Sequence, residues 1–245
     1  MKLLCLDIGN TSITICDYKN EKLGEITRVA SDENFINQLT RYNLGSFDFI
    51  ILCSVVPNLT KLLINYCKNH SINIYEINYK NSHLNLHVDN PSEVGNDRIC
   101  NAIAAKKLNF NPSIIIDFGT ATTYDVINND GDFIGGAIAP GIDVSADYLI
   151  NKTALLKDTI YKFPPKVIGK NTISNIQSGV MYGGLASVEG MIKLIDAEIG
   201  DESNNIIITG GFGKLISEKI NIKHTYIESL TIKGMLEVFF KNQKY

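Results

Sequence analysis

The stretch Cys5–Thr14, "CLDIGNTSIT", decides how this chain is read, because its pattern returns as "IIDFGTATTY" at Ile115–Tyr124. In each copy an apolar run ends on an aspartate, Asp7 or Asp117, with Gly9 or Gly119 two residues on and hydroxyl-bearing residues after it. Apolar runs bounded by such polar turns predict strand, turn, strand. The flanks repeat as well. After the first copy, "KLGEITRVA" predicts a third strand, "SDENFINQLTRY" a helix capped by Ser31, and "FDFIILCSVVP" a buried strand stopped by Pro57. An amphipathic helix, "NLTKLLINYCKNH", and the strand "INIYEI" complete that half. After the second copy, "GDFIGGAIAPG" predicts a third strand, followed by a helical region containing Ser178–Ile199. "NNIIITGGFGKL" then predicts a buried strand entering a glycine loop, "HTYIES" a short strand and "IKGMLEVFF" a closing helix. The expectation is an α/β chain of two duplicated lobes, residues 1–112 and 113–245.

Composition narrows the function classes. The 245 residues are 44% apolar and 20% charged with a net charge of −3, the profile of a globular chain with a sizeable core. No basic run exceeds a pair, so nucleic acid is not an expected partner. No apolar run reaches the roughly 18 residues of a membrane span, and Asp7 interrupts the N-terminal apolar run too early for a secretory leader. The five cysteines form no CxxC pair and sit in apolar runs, which predicts buried reduced thiols and a cytoplasmic location.

A carboxylate at the end of a buried strand needs a compensating partner, and a hydrated cation is a common one. A glycine two residues on lets a ligand approach the backbone closely. Asn10, Thr11 and Ser12, like Thr120, Thr122 and Thr123, then offer donors to anionic oxygens. Either copy alone reads equally as an ordinary hairpin turn; two copies in matching halves point to phosphate. "TGGFG" at Thr209–Gly213 adds a glycine loop able to admit an adenine ring, so a nucleotide cleft between the lobes is expected. Neither a P-loop nor a dinucleotide fingerprint is present. Between the copies, "DRICNAIAAKKL" has helical spacing, placing Asp97 and Arg98 in a first turn. There the helix dipole favours an ionised carboxylate able to accept a proton. An acidic first turn with an exposed arginine is the plainer reading of the same spacing.

In order, "DIGNTS", "NPSEVGNDR", "DFGTATT", "GGAIAPG", "GKNTISNIQSG" and "TGGFG" resemble type III pantothenate kinases over nearly the whole chain. That resemblance implies two ribonuclease-H-like lobes with mixed β-sheets, as in the actin-like ATPase superfamily of acetate and sugar kinases. It implies ATP-dependent phosphorylation of pantothenate to 4′-phosphopantothenate, opening coenzyme A biosynthesis, in a homodimer.

Position by position, the resemblance implies an ATP site from Asp7, Ile8, Gly9, Asn10, Thr11 and Ser12, with Asp7 holding Mg²⁺ through water. It adds Thr120 beside Asp117, where a monovalent cation (K⁺ or NH₄⁺) binds, and Gly210 and Gly211 for adenosine. Gly95, Asn96, Asp97, Arg98 and Thr172 match pantothenate contacts, with Asp97 the catalytic base. Val88 stands where a tyrosine is usual, so one substrate contact is lost or replaced by packing; Lys170 stands where arginine is common. Another small-molecule kinase or phosphatase of the superfamily is the rival enzyme, disfavoured by "GNDR". A catalytically weak regulatory relative resembling accessory transcription factors is the rival of another class.

Overall fold

The computed structural model describes residues 1–152, 161–200 and 204–243. In chain order it contains β1 (Lys2–Ile8), β2 (Ser12–Lys19), β3 (Lys22–Leu23), β4 (Thr27–Ala30), α1 (Phe35–Leu39), β5 (Phe49–Ser54), α2 (Pro57–Asn69) and β6 (Ile74–Glu76). Next come α3 (Asn96–Lys107), β7 (Ser113–Phe118), β8 (Ala121–Ile127), β9 (Phe133–Pro140), α4 (Ile142–Lys152) and α5 (Thr172–Ile199). The last elements are β10 (Asn205–Gly210), α6 (Gly213–Ser217), β11 (Thr225–Tyr226) and α7 (Leu230–Asn242).

Each half builds a mixed sheet to one plan. In the first, β1 pairs antiparallel with β2 and parallel with β5, and β6 adds in parallel to β5; β3 and β4 both pair with β2. In the second, β7 pairs antiparallel with β8 and parallel with β10, with β11 parallel beyond it and β9 at the far edge. The duplication inferred from two short motifs thus extends to strand order and direction.

The sequence pattern predicts a single division, after residue 112. By compactness the chain forms two units, Met1–Phe110 with Gly131–Ile134 and Ser229–Tyr245, and Asn111–Asp130 with Gly135–Glu228. The closing helix α7 therefore counts with the first unit, and its packing explains why. Gly234 meets α3 so closely that any side chain there would overlap the Cys100 carbonyl oxygen. Thr231 Oγ1 donates to the buried Asn101 Oδ1 at 2.8 Å across the same contact.

Strand alternation fixes what each sheet face does. Leu4, Leu6 and Ile8 of β1 and Ile50 and Leu52 of β5 share a core with Phe35, Leu39, Leu59 and Leu63 of α1 and α2. Leu3, Cys5, Asp7, Ile51 and Cys53 consequently point to the opposite face. In the second unit Ile114, Ile116, Phe118, Ile206 and Ile208 pack with Met181, Val188 and Ile192 of α5, which turns Asp117 and Thr209 away from that core. Each fully buried side chain of this kind contributes about 1.5–3 kcal/mol.

Three local expectations are corrected. Gly24 N–H bonds the Asp17 carbonyl at 2.8 Å, splitting the third strand into β3 and β4. The helix expected from Asn58 begins one residue earlier, with Pro57 as its first residue. The helix expected from Ser31 shrinks to α1, because Ser31 is engaged elsewhere, as described next.

Candidate active site

The first glycine turn follows β1. Gly9 N–H donates to the Ser12 carbonyl at 3.0 Å, closing the turn over Asn10 and Thr11, which are exposed. Asp7 lies opposite Thr14 on β2 and Cys53 on β5. Ser31 braces the turn from β4's end: its hydroxyl donates to the Gly9 carbonyl at 2.6 Å and its N–H to the Thr11 carbonyl at 3.1 Å. Sequence reasoning misses that role, since a Ser ahead of an acidic turn signals a cap.

Asp97 sits in the first turn of α3, on the sheet face that carries Asp7. Asn96 Nδ2 donates to the Ser54 carbonyl at 3.0 Å and Val55 N–H to the Ile8 carbonyl at 3.1 Å, tying the helix start to the ends of β5 and β1. Gly95 leaves room for the carboxylate: a Cβ there would stand 2.5 Å from Asp97 Oδ1. That oxygen accepts the Arg98 N–H at 2.8 Å. Cys53 registers both acids. Its thiol is pushed up by a hydrogen bond with Cys100, by burial, and by the nearby charges of Cys100, Asp7 and Asp97. Asp7 and Asp97 are thus brought together.

The dipole argument for Asp97 needs amending. Burial raises its carboxyl above the ordinary aspartate range, and only partly do the Arg98 N–H and guanidinium pull it back. The crowding comes from protein around the carboxylate, although the residue keeps some solvent access. A raised carboxyl is the stronger base. The Arg98 guanidinium lies 5.4 Å from the centre of the Phe133 ring, a cation–π contact. Val88 is half-buried in the segment leading to Asn96.

The second turn belongs to the other unit. Gly119 N–H donates to the Ala121 carbonyl at 3.1 Å, and Asp117 lies opposite Thr123 on β8 and Thr209 on β10. Gly210, at φ +87°, ends β10 beside it. A Cβ at Gly210 would overlap Asp117 Oδ1 and the Phe118 backbone nitrogen and stand 2.6 Å from the Phe118 carbonyl oxygen, so only glycine lets β10 end this close to Asp117. Thr120 and Gly211 are exposed near these turns. Thr172 is the first residue of α5, whose start is a capping box between Asn171 and Ser174.

These donors suit the two cations in different ways. Among the described residues no cluster of three or more His, Cys, Asp or Glu side chains could hold a metal. A divalent ion at Asp7 would have one carboxylate and complete its shell with water and phosphate, the habit of Mg²⁺. Asp117, half-buried at the end of β7, offers a hard carboxylate oxygen of the kind a monovalent cation would take.

A family model described as type III pantothenate kinase matches residues 3–194. The chain belongs to the type III pantothenate kinase family. A relative named type III pantothenate kinase from Moorella thermoacetica is 37% identical, over 98% of this chain and 99% of its own. Among solved structures, a provisionally assigned Baf family transcriptional activator from Campylobacter jejuni matches with a TM-score of 0.66 at 19% identity, over 99% of this chain and 100% of that one. A provisionally assigned 2-dehydro-3-deoxygalactonokinase from Sinorhizobium meliloti matches with a TM-score of 0.58 at 9% identity, covering 98% and 96%. Both likenesses concern the fold alone.

Proposed function

We propose that this type III pantothenate kinase works with Asp97 as its general base. The reaction transfers the γ-phosphoryl group of ATP to the primary hydroxyl of pantothenate, giving ADP and 4′-phosphopantothenate, the first step towards coenzyme A. One observation carries the assignment: a carboxyl raised by burial stands in the first turn of α3, next to the strand ends that present Asp7.

Phosphoryl transfer passes through a loose transition state, so the protein's work is in-line positioning and charge placement. The substrate hydroxyl donates a hydrogen bond to Asp97, and its proton passes to that carboxylate as the oxygen–phosphorus bond forms. We assign the proton to Oδ2, since Oδ1 accepts the Arg98 N–H. A positioned base of this kind contributes about 10²–10⁴-fold. Arg98, oriented by Phe133, offers a charged fork to pantothenate, alongside Val88, Gly95, Asn96 and Thr172. The turn at Ile8–Ser12, Thr120, Gly210 and Gly211 serve ATP. When bound, Mg²⁺ held through water by Asp7 and a monovalent cation held by Asp117 neutralise phosphate charge.

The test is ADP release from ATP in K⁺ buffer with pantothenate, acetate or a sugar as acceptor. Release with pantothenate alone is expected, and its abolition in Asp97→Asn with ATP binding retained. An Asp97→Asn enzyme of near-normal kcat would reject the base.

The homodimer rests on α5. A cavity of about 570 Å³ runs along its glycine face, lined by Ala139, Ile142, Leu149, Ile176, Gly179 and Gly183. Nearby Ile138, Tyr148 and Ile173 are exposed, apolar surface that a second copy would cover. Sedimentation velocity is expected to give twice the 27.1 kDa chain mass. A monomer at micromolar concentration would reject the pairing. No helix among the described residues is long and apolar enough to cross a membrane, and we place the enzyme in the cytoplasm.

A further inference from the structure

The segment that carries Val88 at one end and Asp97 at the other is tied down twice by the same two residues, Asp132 and Phe133. Upstream, Leu86 forms a parallel bridge with Phe133. His87 N–H donates to the Phe133 carbonyl at 2.8 Å, and Phe133 N–H to the Asn85 carbonyl at 3.0 Å. The Asp132 side chain reinforces that bridge. Its Oδ1 accepts from Asn85 Nδ2 at 3.0 Å, and its Oδ2 faces His87 Nε2 at 3.1 Å. Downstream, Lys106 Nζ of α3 reaches Asp132 Oδ1 at 3.4 Å, while Arg98 stacks on Phe133.

We propose that Asp132 is a positioning residue for pantothenate, fastening the flank of Val88 and the helix of Asp97 and Arg98 to one point. The proposal rests on the functional reading above. Although Asp132 follows an exposed turn, only 8% of its surface is accessible, because its own partners cover it. A lone exposed ion pair would contribute almost nothing. A covered carboxylate with three donors is different: removing it leaves Asn85, His87 and Lys106 without their common acceptor. Between the ties, residues 88–95 hold a single 3-10 turn, Pro91–Glu93 capped by Asn90, which shapes the turn locally while the two ties fix where the segment lies. Misplacing positioning groups by an ångström costs rate and affinity far from the chemistry. His87 and Asp132 carry this function without any motif to announce it.

Steady-state kinetics on the full chain test the idea. Asp132→Ala is expected to raise the KM for pantothenate about 10-fold while the KM for ATP stays within about twofold. His87→Ala, at a largely exposed side chain that the fold does not need, should raise the pantothenate KM about threefold; His87→Gln, which restores a donor, should recover most of it. An unchanged pantothenate KM in both alanine variants overturns the proposal. So does a parallel rise in both KM values with a fall in Tm, the mark of a merely structural role. An inactive wild-type chain would overturn the functional reading together with this one, whereas an active wild type with indifferent variants sinks the positioning role alone.

Discussion

The two glycine turns are copies of one device with different lengths and different neighbours. In the first unit Ile8 pairs with Ile13, so the loop holds residues 9–12; in the second Phe118 pairs with Thr122, and the loop holds residues 119–121. Both aspartates face a threonine across the hairpin, Thr14 or Thr123. Their other surroundings diverge. Asp7 shares the environment of Cys53 with a second acid, Asp97, supplied by a helix N-terminus. Asp117 meets backbone instead, where Gly210 brings β10 against it. A duplicated fold supplies two equivalent strand ends, and the element packed beside each gives it a different setting, a second carboxylate near Asp7 and backbone against Asp117.

Breaking the first environment should have the largest effect. Asp97→Asn is expected to lower kcat by about 10²–10⁴. It should also raise Tm. Because the folded carboxyl lies above its unfolded value, its favourable contribution belongs to the protonated form, present below the unfolded pKa and lost as pH rises through the folded one. At neutral pH the folded enzyme therefore carries a penalty of about 1.4 kcal/mol for every tenfold by which folding tightens the carboxyl's hold on its proton, and the neutral asparagine removes it. A variant that is dead and also less stable than wild type at pH 7 would contradict this account of the site.

The second environment is broken by Gly210→Ala. A positive φ costs a non-glycine residue about 1–3 kcal/mol, and the new methyl group would run into the Asp117 carboxylate. Tm should fall by about 2–4 °C for each kcal/mol lost. If the space beside Asp117 holds a monovalent cation, activity should fall about 10-fold and the advantage of K⁺ over Na⁺ should vanish. A variant keeping the full K⁺ response would remove Gly210 from the cation site.

These contrasts also show what is legible in the sequence. Long apolar strands and their paired turns can be read because alternation and burial act locally on Leu3–Ile8 or Ile114–Phe118. Helical spacing over residues 97–108 puts Asp97 in a first turn, where α3 has it. What stays hidden depends on partners distant in sequence. Ser31 reads as a cap, but it bonds Gly9 across β2 and β4. His87 and Asp132 lie outside regular elements, without a motif, and meet only after the fold forms. The raised carboxyl of Asp97 follows from burial, which composition does not convey. The return of α7 to the first unit needs the close crossing at Gly234, invisible in a helix read by itself.

The smallest effect separates the two turns most finely. Neither Gly9 nor Gly119 has a positive φ, so alanine is conformationally allowed at both. A Cβ at Gly9 would stand 3.1 Å from the Ser12 carbonyl oxygen, a contact that must be relieved; at Gly119 its nearest neighbour, the Ala121 carbonyl oxygen, is 3.6 Å away. Gly9→Ala should therefore cost about 1 kcal/mol, while Gly119→Ala should be neutral or stabilise by about 0.4–1 kcal/mol through a less flexible unfolded chain. If both glycines exist to let ATP reach the backbone, each alanine should nevertheless raise the KM for ATP severalfold. Gly119→Ala is the informative variant, because its loss of ATP affinity would come without any loss of Tm. A neutral Tm together with an unchanged ATP KM would make that turn a hairpin and nothing more, leaving phosphate recognition to the first unit.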